Sequence, residues 1–243
     1  MERDAVTVSF RSSRACFVES SLHASIPPRA AAEGLGTMLL MIAISGSAAV
    51  AHQFKDPNMA ALASAAAISA SLVALIIAFG PVSGGHFNPL ISFLQWKSGT
   101  RRLDCALAYI VAQTTGATLG SIISLAMFDL PPRFASGGIP DPGLILSEFV
   151  SAFALMMVVL CCSRNGSRQA GPFAVGAWLC GGILATPTGS LANPAVTIAL
   201  VASSYGPSPV AVGAFVIAQF LGGLAALLLA TFFYPLRDSS NLK

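Results

Sequence analysis

Apolar positions in this chain come in long unbroken runs separated by short polar breaks, with no alternation of period two. Six runs read as membrane-spanning helices, at about residues 30–50, 59–79, 103–128, 143–162, 172–185 and 209–234. Two further apolar runs, 90–96 and 195–202, are too short to cross a bilayer, which takes roughly 20 apolar residues. Each short run follows an Asn-Pro pair, Asn88-Pro89-Leu90 in one case and Asn193-Pro194-Ala195 in the other. Asn as cap and Pro in the first turn mark a helix start. The pattern therefore predicts two half-helices that begin inside the membrane. Such ends are tolerated only where they are buried in protein or line a watery cavity.

The same landmarks recur in order. Glu33, the first Asn-Pro and Gln113 are followed by Glu148, the second Asn-Pro and Gln219. Each half, about 30–128 and 143–235, holds three spans and one half-helix. Three is odd, so the second half enters from the opposite side. An inverted repeat of this kind places the two half-helix tips together near the midplane. The fold class expected is an all-α membrane protein with six transmembrane helices and two re-entrant half-helices.

Composition agrees: 55% of residues are apolar and 9% charged, against about 25% charged in a soluble domain. The basic residues give the orientation. With the N-terminus inside, the inner segments carry eleven of the 13 Lys and Arg, and the outer segments only Lys55 and Arg133. Both termini are expected on the cytoplasmic side of the cell (inner) membrane. Residues 1–28 read as a disordered cytoplasmic leader, 29–236 as the channel domain and 237–243 as a tail. Five cysteines without metal-ligand spacing are read as reduced. No cofactor, metal site, catalytic pair or nucleic-acid partner is indicated; the partners expected are the lipid bilayer and small neutral solutes.

From residue 30 to residue 234 the chain resembles the aquaporin, or major intrinsic protein, family. The residues that carry the resemblance are Glu33-x-x-Gly36-Thr37, Ser83-Gly84-Gly85-His86-Phe87-Asn88-Pro89-Leu90, Ala112-Gln113-x-x-Gly116-Ala117 and Gly189-Ser190-Leu191-Ala192-Asn193-Pro194-Ala195. The resemblance implies an aquaporin-like bundle assembled as a homotetramer, with one pore in each protomer. It implies that Asn88 and Asn193 offer amide donors to a passing solute. It also implies a selectivity ring at Ile68, Gly181, Ser190 and Val196. Family members usually carry Arg where this chain has Val196, and Ala where it has Leu90. A small, uncharged ring resembles the arsenical-permeable aquaglyceroporin branch.

The function expected is a passive channel for glycerol, urea, arsenite and related arsenicals, and water. The alternative is a coupled secondary transporter using Glu33 and Glu148, because buried charges in a membrane are costly and usually functional or paired. The preferred role of these glutamates is structural, holding re-entrant backbone. His86, Gln113 and Gln219 are read as buried packing and hydrogen-bonding residues. Cys180 has two readings, a small buried apolar residue or a soft ligand for As(III).

Overall fold

The computed structural model describes residues 16–20, 24–51, 53–166, 169–203 and 206–234. Among these it contains helices and no strand. The helices are α1 (Ile26–Ala51), α2 (Pro57–Ser83), α3 (Pro89–Lys97), α4 (Leu103–Met127), α5 (Pro142–Asn165), α6 (Gly171–Ala185), α7 (Pro194–Ala199) and α8 (Pro209–Phe233). A 3-10 turn, Leu200–Ala202, extends α7. Five of them are long and apolar enough to span a membrane. The sixth, α6, has 15 residues, about 22 Å at 1.5 Å per residue, and is followed by a turn closed by Gly189 N on the Thr186 carbonyl. α2 runs to Ser83, four residues past the expected end, and carries Pro81 within its last turn.

The two halves fold alike. α1 packs mainly on α4, and α5 on α8, while α2 and α6 join the halves. Glycines make the long pairs close. A side chain at Gly116 of α4 would strike the carbonyl of Gly34 in α1. At the matching place, a side chain at Gly222 of α8 would strike the carbonyl of Phe149 in α5. Both glycines stand three residues after the repeated glutamine, and both carbonyls one residue after the repeated glutamate. Small residues let membrane helices approach in this way.

Polarity is inverted relative to a soluble protein. Glu33, Gln113, Glu148 and Gln219 are fully buried, whereas Val111, Leu228 and Phe232 are largely exposed. The apolar outer surface suits lipid, and the polar groups find their partners inside.

The N-terminal region departs from expectation. α1 begins at Ile26, inside the stretch read as leader. Residues 16–20 are packed against the bundle, with Cys16, Phe17 and Glu19 buried, and so are not a disordered tail. Their burial is explained by partners far along the chain, described below. The disorder expected for residues 1–15 and the tail 237–243, like the basic residue Arg168, lies outside the described residues.

Candidate pore

Asn88 and Asn193 cap the two short helices. Each has extended backbone, and its Oδ1 accepts from the helix: from Leu90 N for Asn88, and from Ala195 N and Val196 N for Asn193. The loops before them share an unusual backbone. Gly84, Gly85 and Phe87 have φ of 99°, 65° and 47°, and Gly189, Ser190 and Ala192 have 67°, 53° and 44°. These are corresponding positions, each counted back equally from its Asn. The left-handed conformation costs a non-glycine residue roughly 1–2 kcal/mol, so Phe87, Ser190 and Ala192 must be held there.

The buried glutamates hold them. Glu33 accepts from His86 N at 2.9 Å and from Phe87 N at 2.7 Å. Glu148 accepts from Leu191 N at 3.1 Å and from Ala192 N at 3.0 Å. Each glutamate is held in turn by the repeated glutamine: Gln113 Nε2 donates to Glu33 at 2.8 Å, and Gln219 Nε2 to Glu148 at 2.6 Å. Each glutamine also reaches a half-helix hydroxyl, Ser92 at 3.0 Å and Thr197 at 2.9 Å. The repeat thus extends to individual hydrogen bonds. Neither carboxylate lines the cavity between the halves, and nothing in this geometry supports coupled transport through them.

The two loops are cross-linked at their tips. Asn88 Nδ2 donates to the Ala192 carbonyl at 2.8 Å, and Asn193 Nδ2 donates to the Phe87 carbonyl at 2.9 Å. An amide nitrogen has two hydrogens. One is therefore used across the seam, and the other is left for the cavity that both asparagines line. This narrows the reading from sequence, in which the whole amide faced the solute.

That cavity is mostly apolar and measures about 80 Å³ in terms of where a water's centre can sit. At about 10–15 Å³ per water on that scale it holds several. Ile68, Ser190 and Val196, three of the four expected ring residues, line it together. Gly181 does not. It is exposed, and a side chain there would meet nothing within 4 Å. The neighbouring Gly182 is buried, and a side chain there would come within 2.8 Å of Ser190 Oγ. The α6 residues that line the cavity are Val175, Leu179 and Ile183, and neither Gly181 nor Gly182 is among them. Cys180, on the same helix, is also absent from the cavity wall.

Beyond Leu191, which borders both spaces, a wider vestibule of about 490 Å³ opens between residues 135–141, Thr188 and Phe215. Leu90 is fully buried. Its larger side chain is accommodated at Gly223, where a Cβ would lie 2.7 Å from Leu90 Cδ1.

His86 is buried as expected. Its Nε2 donates to the Phe17 carbonyl at 3.1 Å, because a carbonyl can only accept, and Nδ1 lies 2.9 Å from Ser92 Oγ. Sequence reasoning missed Phe17, which lines the same cavity.

Comparison with known proteins agrees with this geometry. The model of the family described as major intrinsic protein matches residues 23–188. Aquaglyceroporin AqpS of Rhizobium meliloti (strain 1021) is 41% identical over 207 residues, which are 83% of this chain and 88% of that protein. Aquaporin NIP1-4 of Oryza sativa subsp. japonica is 32% identical over 204 residues, 80% of this chain and 72% of that protein. The crystal structure of the aquaglyceroporin from Plasmodium falciparum superposes with a TM-score of 0.70 at 18% identity, covering 87% of this chain and 97% of the other. The capped half-helices, their glutamate ties and these similarities lead to one conclusion: the chain belongs to the major intrinsic protein family and is a membrane channel for small neutral solutes.

Proposed function

We propose that this channel passes glycerol, urea and arsenite as As(OH)3, along with water, through a ring that includes Ile68, Ser190 and Val196. The observation that carries this reading is Val196. It is 2% exposed, follows the second capped motif directly, and lines the cavity beside Ser190. A valine there has no charge, no donor and little reach. Gly182 packs directly against Ser190, with no side chain to crowd it. Such a ring excludes by size, while the free amide hydrogens of Asn88 and Asn193 and the Ser190 hydroxyl give a neutral polyol something to bond. Arsenite joins glycerol on chemical grounds, as a small uncharged molecule bearing several hydroxyls. Two capped helix ends facing the same space disfavour cations.

We place both termini in the cytoplasm of a cell (inner) membrane on the basis of the eleven-to-two division of basic residues. A homotetramer is proposed from the family resemblance. Val196→Arg tests the selectivity mechanism. Stopped-flow swelling and shrinking of proteoliposomes should show glycerol and As(III) flux cut far more than water flux. A folded Val196→Arg protein that passes glycerol and As(III) at the parental rate would falsify the ring.

A further inference from the structure

Residues 16–20 form a strap across the end of the pore opposite the vestibule, and its contacts converge on one place. Phe17 is 4% exposed and lines the cavity that Asn88, Asn193 and Val196 also line. Its carbonyl accepts from Gln95 Nε2 at 2.7 Å and from His86 Nε2 at 3.1 Å. Gln95 lies in α3 and His86 in the loop that leads into it, so the strap is bonded to the pore-forming segment itself. Cys16 packs where α6 begins, in space left by Gly171: a side chain at Gly171 would come within 2.8 Å of the Cys16 sulfur. Gly84 makes room for the Phe17 carbonyl in the same way. Ser20 N donates to the Pro81 carbonyl at 3.0 Å.

Glu19 secures the other end. Its carboxylate bridges Arg29 and Arg101, the latter at 2.9 Å, with all three side chains less than a tenth exposed. Both arginines are anchored without it. Arg29 Nε donates to Tyr109 Oη at 3.0 Å, and Arg101 Nε donates to Gln95 Oε1 at 2.9 Å. The Arg101 guanidinium also sits over the Tyr109 ring at 4.6 Å. Burial opposes the Arg101 charge, yet Glu19 holds its pKa above the ordinary guanidinium value. The bundle thus carries a fixed, doubly cationic seat, and the strap supplies the carboxylate that fills it.

We propose that this strap is an autoinhibitory plug: Phe17 closes the permeation path at the N-terminal face, and Glu19 is the latch that keeps it seated. On this proposal a solute in the cavity leaves through that face only when Phe17 is displaced. The seat and the latch are separable because Arg29 and Arg101 keep their other partners when Glu19 is lost. This inference rests on the channel reading and is independent of which solute the ring selects.

The test uses the full chain with Phe17→Ala and Glu19→Gln. Water and glycerol permeability per molecule are measured in proteoliposomes, and Cys16 labelling by a maleimide is mapped by mass in detergent. Cys16 should be protected in the parental protein and labelled in Glu19→Gln. Both variants should raise water and glycerol flux together, about tenfold where the seated strap leaves a tenth of the pores competent. A rise in water flux alone still supports the plug and counts against the glycerol reading. The plug is overturned if Glu19→Gln frees Cys16 while both fluxes stay parental, or if folded Phe17→Ala conducts as the parent does. A Cys16 that stays protected in Glu19→Gln overturns the latch. Should Phe17→Ala not fold, the two readouts on Glu19→Gln decide.

Discussion

Removing the acceptor that holds the second loop should be costly in proportion to the donors it strands. Glu148 takes three: Leu191 N at 3.1 Å on Oε1, and Ala192 N at 3.0 Å and Gln219 Nε2 at 2.6 Å on Oε2. Glu148→Gln leaves one oxygen, which best serves the two donors on the Oε2 side. Its new NH2 group then faces the Leu191 N–H, donor against donor. One buried N–H left without an acceptor costs about 1–3 kcal/mol, and losing the charge on the acceptor weakens the two surviving bonds by about 1 kcal/mol in all. The expected loss is about 2–4 kcal/mol. For a chain of this length that corresponds to a fall in Tm of between about 4 and 16 °C. Glu148→Leu strands all three donors, for about 3–9 kcal/mol. It also frees Ser190 and Ala192 from their left-handed backbone, which costs roughly 1–2 kcal/mol for each while held. The loop should then relax and Asn193 should leave the Phe87 carbonyl. The assay is thermal unfolding of the purified protein in detergent, paired with water flux in proteoliposomes. Glu148→Gln should melt lower and still conduct, and Glu148→Leu should lose either its fold or its flux. Parental Tm and flux in both variants would mean that this carboxylate does not hold the loop.

Two other predictions test how the side chains around the pore fit together. Gly182→Ala puts a methyl 2.8 Å from Ser190 Oγ, whereas Gly181→Ala points into open space; glycerol flux should fall in the first through overpacking of about 1–3 kcal/mol and stay parental in the second, and the reverse result would restore Gly181 to the ring. Leu90→Ala should cost about 2–5 kcal/mol by leaving a cavity, and Gly223→Ala should clash with Leu90 Cδ1 at 2.7 Å, so the double variant should be more stable in thermal unfolding than the sum of the singles, while strict additivity would show that the two sites do not touch.

The parts of this fold that were legible in the sequence are those carried by residue type at fixed spacing. Glu33, Gln113 and Asn88 announce their partners because Glu148, Gln219 and Asn193 repeat them in order. Ser190 and Val196, each three residues from Asn193, line the cavity as their link to the second motif leads one to expect. Gly181 does not line it; it was placed by a count across the α6–loop junction, where one residue of error turns the helix by about 100°. The crossed amide bonds were not legible, since nothing in an Asn says which of its hydrogens another loop will take. The left-handed backbone at Phe87, Ser190 and Ala192 gave no signal either, because glycine is the residue that usually marks it. The strap was hidden for another reason. Cys16, Phe17 and Glu19 sit in a polar stretch without periodicity. Their burial depends on His86, Gln95 and Arg101, 69, 78 and 82 residues away.

The two loops are wired alike at the midplane but diverge toward the faces, and the divergence assigns them different work. Ser83 Oγ donates to Glu33 at 2.6 Å and accepts from Gly85 N at 3.2 Å, so Glu33 collects four donors. The corresponding Thr188 pairs with Ser147 at 2.7 Å and leaves Glu148 with three. The first loop is fastened further by His86 and Ser92, and through His86 to the strap. The second loop faces the vestibule of about 490 Å³ and bears Ser190, whose hydroxyl has no protein partner. A group with an unspent hydrogen bond belongs where a solute must exchange its water for something else. A loop fastened to the bundle at more points belongs where the wall must not move. On the proposed reading, discrimination between solutes belongs to the second motif and its ring, and closure to the first motif and the strap. Val196→Arg should accordingly alter the ratio of glycerol to water flux, and Phe17→Ala should raise both by the same factor. A Phe17→Ala protein that changes the ratio as strongly as Val196→Arg would contradict this division.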